Sequence, residues 1–321
     1  MKFFDRRQLV KAIIGLSGLA ITGLASWLSF NREGNMSQKK LKFVQTPQEQ
    51  HWVGDGFFVH TLFHPVGDMY KHTTPFILMD YAPPKNFPQT SAKRGVGEHP
   101  HRGFETVTFA FKGEIEHRDS SGGGGVIGTG DLQWMTAAAG VVHDEFHSRD
   151  FAKIGGDFEM VQLWVNLPAK DKMTKPKYQG RKDKEFPRVP LDGGEVKVYA
   201  GEFKDEKGPC ETFTPINMYN VNTSDVCNVP LKFEEGSNTL ILVMEGTVNY
   251  EGKSFGEKSL LIFEREGEEI PLEVEANSRL LVLNGEPIDE PIYAHGPFVM
   301  NTKQEIIEAI EDFQAGKMGR L

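Results

Sequence analysis

From about Lys42 onward, the chain alternates short apolar runs with polar and turn-forming residues. Each run has the length of a β-strand, and apolar side chains at alternate positions are typical of a strand with one buried face. The 34 glycines and 18 prolines are scattered between the runs, where tight turns would join consecutive strands. The pattern therefore predicts an all-β protein. The clearest predicted strands are residues 57–63, 75–79, 106–111, 132–136, 158–165, 196–199, 239–244, 247–250, 259–263 and 279–283.

This strand pattern is interrupted near the middle of the chain. Between Asn166 and Pro190 the apolar periodicity disappears, while lysines, arginines and prolines accumulate. A chain of 321 residues is also long for a single hydrophobic core. We therefore predict β-domains at 42–168 and 191–321, joined by a linker at 169–190. A basic surface that attracts anionic ligands is the alternative interpretation of the linker, although its acidic residues dilute the positive charge.

The end of the chain has a helical pattern. Thr302 and Glu305 have the spacing of a capping box, and apolar residues follow at helical intervals as far as Gly316. We expect the second domain to end in a short helix at 303–315.

Residues 1–30 differ from the rest of the chain. Lys2, Arg6, Arg7 and Lys11 precede an uncharged stretch at 12–30, which is typical of a signal sequence. The paired arginines, followed by two apolar residues and a lysine, resemble a twin-arginine export signal. This segment predicts a periplasmic or otherwise exported protein.

A signal peptidase could cleave this segment after Ala25. Two alternatives to cleavage are open. The 19 uncharged residues at 12–30 could just span a bilayer, so the segment could stay as an uncleaved anchor. In that case it would be the protein's expected contact with the membrane. A true start at Met36 would instead leave a cytoplasmic protein.

The net charge argues against one class of partner, and the cysteine content argues against some kinds of metal and redox site. The formal net charge is −9, whereas proteins that track nucleic-acid phosphates concentrate lysine and arginine on one face. Nucleic acid is therefore not an expected partner. The two cysteines, Cys210 and Cys227, lack the close spacing of a zinc knuckle or a redox pair, and they are either buried thiols or one disulfide.

Histidines are concentrated in the first domain, where nine of the ten lie before residue 150. His99 and His101 are two residues apart in a predicted strand, and residues at that spacing share one face. A second cluster repeats the spacing with His143, Glu145 and His147. Two adjacent strands could therefore turn three imidazoles and a carboxylate to the same side.

This donor set predicts one divalent metal ion. Three imidazoles and a carboxylate suit a borderline ion such as Fe(II), while Mn, Ni, Cu and Zn are also chemically acceptable. Four protein ligands on an ion that accepts six leave positions open for a substrate. A single buried histidine is more often a hydrogen-bonded core residue than a ligand. That interpretation applies to His51, His60, His64, His72 and His117.

Five separated motifs lie along the chain. They are residues 99–107 (HPHRGFETV), 130–137 (GDLQWMTA), 140–145 (GVVHDE), 163–168 (LWVNLP) and 295–302 (HGPFVMNT). In this order they resemble the pirins, a branch of the cupin superfamily, and the resemblance covers nearly everything from about Lys42 to the C-terminus. The resemblance implies two stacked β-barrel cupin domains, with a metal only in the first.

The resemblance also implies roles for individual residues. The metal would be bound by the residues that match the pirin ligands, namely His99, His101, His143 and Glu145. Many cupins place a carboxylate ligand at the position of Glu105, but pirins use the residue that matches Glu145. Glu105 is therefore expected to lie behind the ligands. His147 matches no pirin ligand.

Some pirins are similar to quercetinases, which are cupin dioxygenases that cleave flavonols. The resemblance therefore implies a metal-dependent dioxygenase of the quercetin 2,3-dioxygenase type. It would contain Fe(II), act on a small flavonol-like aromatic substrate, and use Glu145 or Glu105 as proton acceptor. The alternative is a non-catalytic metal-binding or redox-sensing module that binds a protein partner. Pirins are typically cytoplasmic or nuclear, so the export signal departs from the family and their intracellular partners do not carry over.

Overall fold

The structure, a computed structural model, describes residues 37–47 and 49–321. The proposed export signal at 1–30 and the alternative start at Met36 lie outside these ranges. In the first half of the described chain the helices are α1 (Tyr70–Thr73) and α2 (Arg149–Ile154). The strands there are β1 (Leu41–Gln45), β2 (His51–Val53), β3 (Phe57–Phe63), β4 (Phe76–Phe87), β5 (Gly95–His101), β6 (Phe104–Lys112), β7 (Ile115–Asp119), β8 (Gly124–Ile127), β9 (Leu132–Thr136), β10 (Val141–His147), β11 (Gly156–Asn166) and β12 (Lys177–Arg181).

The second half is also built mainly from strands, and it ends in helix α3 (Lys303–Gln314). Both the all-β prediction and the short C-terminal helix are confirmed. The strands are β13 (Arg188–Leu191), β14 (Gly194–Ala200), β15 (Glu202–Phe203), β16 (Glu206–Lys207), β17 (Ile216–Thr223), β18 (Cys227–Lys232), β19 (Asn238–Glu245), β20 (Thr247–Tyr250), β21 (Lys253–Gly256), β22 (Leu260–Phe263), β23 (Glu269–Val274), β24 (Arg279–Gly285), β25 (Tyr293–His295) and β26 (Phe298–Met300).

Each domain contains one large and one small sheet. In the first domain, a seven-stranded sheet has the order β12-β9-β6-β11-β4-β3-β2, and a four-stranded sheet has the order β5-β10-β7-β8. In the second domain, the corresponding orders are β1-β22-β19-β24-β17-β14-β13 and β18-β23-β20-β21. The same architecture therefore occurs twice along the chain.

The two seven-stranded sheets pack against each other through one face of each sheet. On β11, Val161 and Leu163 belong to the apolar core between the domains, and on β19 Leu240 and Leu242 belong to the same core. Because successive side chains of a strand point to opposite faces, the alternate residues of these strands line the interior of each domain. Burial on both faces explains why these strands are apolar along most of their length.

The interiors of the two domains differ in chemistry. The interior of the second domain is filled by apolar side chains, including Val196, Tyr219, Ile241 and Val282. The interior of the first domain instead contains buried histidines, carboxylates and amides beside its apolar residues. All buried histidines of the described residues therefore lie in the first domain.

A buried ion pair crosses the interface between the domains. Nη2 of Arg279, on β24, lies 2.6 and 2.8 Å from the two carboxylate oxygens of Glu159 on β11. Tyr81 on β4 donates a further hydrogen bond to Glu159 at 3.0 Å. The Glu159 side chain is fully buried, so its charge depends on these partners for stabilisation.

The ends of the described chain cross between the domains. β1 pairs with β22 in the large sheet of the second domain, although residues 42–45 fall within the range predicted for the first domain. In the other direction, β26 bridges to the first domain at Arg102, and α3 packs its Ile306 and Ala309 against Val142 of β10. The ion pair between Arg102 and Asp312 joins the same surfaces at 2.9 Å.

The segment at 169–190, predicted as a linker, contains regular structure. β12 pairs with β9 in the large sheet of the first domain, and β13 pairs with β14 in the second. The strand β12 is hidden in the sequence because it has the residues KYQGR, which show no apolar alternation.

Both cysteines are free and buried in the structure. Cys210 packs in the core between the domains, where burial raises its pKa to about 12. Cys227 packs in the interior of the second domain. Of the two alternatives left open by the sequence, the structure therefore shows buried thiols.

Within residues 37–47 and 49–321, no helix is both long and apolar enough to cross a membrane.

Replacing Arg279 should destabilise the protein because it leaves the Glu159 carboxylate buried without its cation. We expect Arg279→Leu to lower the free energy of unfolding by about 3 kcal/mol, measured by chemical denaturation. The double variant Glu159→Leu/Arg279→Leu is the control, since it removes both charges and should recover much of the loss. Equal stability of the two variants would show that the ion pair does not act in this way.

Candidate metal centre

The four-stranded sheet of the first domain positions the histidines predicted as ligands. β5 and β10 are adjacent and antiparallel, and His143 lies directly opposite His99 in their register, while Val141 lies opposite His101. One ligand atom from each of the three histidines lies within 4.8 Å of the others. The structure thus brings together the two motifs on neighbouring strands, as the i, i+2 spacing predicts.

The rings of these histidines are oriented for ligation. Nδ1 of His99 lies 2.8 Å from the carbonyl of Gly97, and Nδ1 of His101 lies 3.3 Å from the carbonyl of Pro297. A protonated Nδ1 that donates to a carbonyl leaves the lone pair of Nε2 free for a metal. In His143, Nε2 is buried without a hydrogen-bond partner, which is costly for a polar atom unless it has a ligand.

The protonation state of two of these histidines also fits ligation. Burial, together with the neighbouring imidazole of His99, lowers the pKa of His101 well below its ordinary value. Burial and the imidazoles of His101 and His99 do the same to the pKa of His143. Both rings are therefore neutral at physiological pH, as metal ligands must be.

Glu145 also lies on β10. The pairing of β10 with β5 shifts register between His143 and Glu145. One carboxylate oxygen accepts a hydrogen bond from Nε2 of Gln133 at 2.6 Å, and the other accepts one from Nε2 of Gln162 at 3.3 Å. These two amides fix the carboxylate on the side of the histidines.

His117 is a buried, hydrogen-bonded residue, as interpreted, and it also belongs to the cluster. It lies on β7 opposite Glu145, and with His143 and Glu145 it forms a second group whose ligand atoms lie within 4.8 Å of one another. Its Nε2 lies 3.3 Å from Asp119. Burial disfavours the charged ring, but the hydrogen bond to Asp119 and the carboxylate of Glu145, 3.8 Å from Nδ1, outweigh burial and raise the pKa of His117 to about 9.

A signal for His117 was present in the sequence. His117 and Asp119 have the same i, i+2 spacing as the other pairs, with a carboxylate in the pair. Tyr178 covers the other side of this dyad, and its ring stacks on His117 at a centroid distance of 5.2 Å. Tyr178 comes from β12, in the segment predicted as linker, so this contact was not foreseeable.

Glu105 lies away from the cluster, which differs from the role expected for it. On β6 it shares a face with Val107 and Phe109 of the core between the domains, whereas Thr108 faces the cluster. Burial raises the pKa of Glu105 to about 7, although the hydroxyl of Thr136 donates to its carboxylate at 2.6 Å. Glu105 is therefore a buried interface residue and not a second layer behind the ligands.

The remaining histidines of the first domain lie elsewhere. His147 packs among the rings of Phe57, Phe87, Phe151 and Phe158, with Nε2 2.9 Å from a backbone carbonyl. His60 is a hydrogen-bonded buried residue, as interpreted. His51 and His64 are exposed and His72 is half-buried, so the core interpretation does not describe them.

A cavity of about 260 Å³ opens beside the cluster. His99, His101 and Glu145 form its polar floor, and the turn between β25 and β26 covers one edge with Gly296 and Pro297. Apolar side chains make up most of the wall. They are Val53, Phe57, Val59, Val96, Met160 and Trp164.

Comparisons with known proteins agree with this architecture. The model of the Pirin family matches residues 59–165, and the model of the Pirin C-terminal cupin domain matches residues 218–319. A Pseudomonas aeruginosa protein named "Putative quercetin 2,3-dioxygenase" is 45% identical over 284 residues, which cover 88% of this chain and 99% of that protein. A pirin-like protein of Solanum lycopersicum is 35% identical, over 78% of this chain and 83% of its own length.

Solved structures show the same fold. The crystal structure of a quercetin 2,3-dioxygenase from Acinetobacter baumannii is 50% identical, with a TM-score of 0.83, and the match covers 88% of this chain and 99% of that one. The Escherichia coli bacterial pirin YhhW, solved in complex with nickel(II), is 18% identical with a TM-score of 0.57, over 76% of this chain and 100% of that one. The latter likeness extends to the fold alone. With its two cupin domains and its relatives along nearly the whole described length, this chain belongs to the pirin family.

Proposed function

We propose that this protein is a metal-dependent dioxygenase of the quercetin 2,3-dioxygenase type, acting on a flavonol-like substrate. The observation that carries the proposal is the histidine and carboxylate cluster at the floor of an apolar cavity. The names of the relatives from P. aeruginosa and A. baumannii support the same reaction type.

His99, His101, His143 and Glu145 would hold the metal. We take Fe(II) as the resident ion, although the same donors accept Mn, Ni, Cu or Zn. When bound, the ion would supply Lewis-acid polarisation of two adjacent substrate oxygens and reactivity towards O₂.

The chain's own residues have three tasks in this reaction. The apolar wall, including Phe57 and Trp164, binds the aromatic rings and excludes water. Glu145 takes the proton of the substrate hydroxyl, because it is the carboxylate that borders both the histidines and the cavity. Gln133 and Gln162 hold that carboxylate in place. Since Glu105 faces the other side of β6, Glu145 alone takes the role of proton acceptor.

We also propose that the segment at 1–30 exports the protein through a twin-arginine pathway, so that its substrate would be met outside the cytoplasm. Fractionation of cells that express the full-length gene should find the protein in the periplasmic or membrane fraction. Replacing Arg6 and Arg7 with lysine should keep it in the cytoplasm. A purely cytoplasmic wild-type protein would contradict the export proposal and favour a start at Met36.

Removing one histidine should abolish metal binding without unfolding the chain. We expect His101→Ala to lose its metal while keeping a native circular-dichroism spectrum, because the site loses a ligand and the fold rests on apolar packing. Metal content by plasma mass spectrometry is the measurement. His64→Ala, an exposed histidine, is the matched control and should retain the metal. Full occupancy in His101→Ala would remove the basis of the site.

Turnover should depend on Glu145. Anaerobically Fe(II)-loaded protein should consume O₂ and release carbon monoxide when quercetin is added, followed with an oxygen electrode. Glu145→Gln should lower kcat by about 100-fold, because it removes the proton acceptor. Metal content measured on the same sample separates this effect from loss of the ion. Glu105→Gln is the control and should keep its activity.

Absence of O₂ uptake with every one of the five metals would contradict the dioxygenase proposal. In that case the non-catalytic metal-binding module would be the better description of the protein.

A further inference from the structure

A row of polar side chains crosses the large sheet of the first domain, and two of its members line the cavity. Five strands each contribute one residue, and each residue lies directly opposite the next in the strand register. In order, the residues are Thr61 on β3, Asp80 on β4, Gln162 on β11, Thr108 on β6 and Gln133 on β9.

At one end of this row, the side chains form hydrogen bonds with Glu145 or with each other. Gln133 and Gln162 donate to its two carboxylate oxygens, and the hydroxyl of Thr108 donates to Oε1 of Gln162 at 2.6 Å. Each of these three side chains therefore already has partners within the row. These side chains therefore do not need a ligand to supply hydrogen-bond partners.

The other end of the row differs. Asp80 faces the cavity, where Phe57, Val59 and Met160 are its apolar neighbours in the wall. The hydroxyl of Thr61 donates to Oδ1 of Asp80 at 2.5 Å, and in the described part of the chain we find no other side-chain hydrogen bond or ion pair to this carboxyl. Burial raises the pKa of Asp80, and the hydrogen bond from Thr61 offsets only part of that effect.

A carboxyl in an apolar wall is costly unless donors satisfy its oxygens. Here the open direction is the cavity itself, so the second oxygen accepts from solvent in the cavity or from a ligand that displaces it. Asp80 lies directly opposite Gln162, which contacts Glu145, and Asp80 lines the same cavity as His99, His101 and Glu145. One ligand in this cavity can therefore meet both the metal ligands and Asp80.

We propose that Asp80 accepts a hydrogen bond from a phenolic hydroxyl of the substrate other than the oxygens that face the metal ligands, and thereby selects hydroxylated aromatic substrates. This inference rests on the proposed function for the class and orientation of the ligand. Asp80 is a specificity residue in this scheme, because Glu145 and not Asp80 borders the histidines.

Binding of two flavonols to Zn(II)-loaded protein tests the role of Asp80 without turnover. Quercetin carries phenolic hydroxyls on its outer rings, whereas 3-hydroxyflavone keeps only the chelating hydroxyl and ketone. Absorbance titration should show that Asp80→Leu weakens quercetin about 10- to 100-fold, the usual effect of losing a hydrogen bond to a charged group. The Kd of 3-hydroxyflavone should change by less than about 3-fold, because this flavonol has no outer hydroxyl that could donate to Asp80.

Two further variants guard against effects of shape or folding. Met160→Leu changes the same wall without a polar group and should shift both affinities alike. Asp80→Asn keeps the volume and one acceptor oxygen, so it provides a folded variant if Asp80→Leu is unstable, and it too should weaken quercetin selectively.

The outcomes separate the two proposals. If wild-type protein binds both flavonols and the Asp80 variants change both affinities equally, or neither, then the role of Asp80 is overturned while the proposed function stands. If wild-type Zn(II)-loaded protein binds neither flavonol, the proposed function fails and the role of Asp80 fails with it.

Discussion

Burial of the large first-domain sheet on both faces is the constraint on which the rest of the structure depends. One face must be mostly apolar to pack against the second domain, while the other faces the interior of the first domain, where the cavity lies. Because side chains alternate along a strand, adjacent residues of β11 have different tasks: Leu163 packs between the domains, and Gln162 orients Glu145. Along this strand, residues that stabilise the domain interface alternate with residues that face the site. A shift of the strand by one residue would turn the interface residues towards the site and the site residues towards the interface.

Much of the fold follows from the strand pattern. The observed strands at Phe57–Phe63, Leu132–Thr136 and Thr247–Tyr250 coincide with the predicted ones, because turn residues bound these runs on both sides. β4 extends well beyond its predicted end, since its later half carries prolines and polar residues that pattern alone does not assign to a strand. β12 was missed for the related reason that it lies at a sheet edge and is largely polar.

The site could be predicted where its residues were paired in sequence. His99 with His101, and His143 with Glu145, combine spacing and chemistry within a few residues, and the structure places each pair beside the other. His117 is a buried hydrogen-bonded residue as the sequence indicates, but its place beside Glu145 follows from the pairing of β7 with β10, which the spacing of single histidines does not show. The direction of Glu105 could not be read from a strand that is buried on both faces, since polarity then no longer indicates which face is which.

The exchange of chain ends between the domains has a consequence for synthesis. The turn at Gly296 and Pro297 covers an edge of the cavity, and Lys172 ties this segment to the first domain through the carbonyls of Gly103 and Val299. Pro297 follows His101 by 196 residues in the chain. The edge of the cavity can therefore be covered only after the second domain has been synthesised, so the pocket depends on a segment that lies outside the first domain.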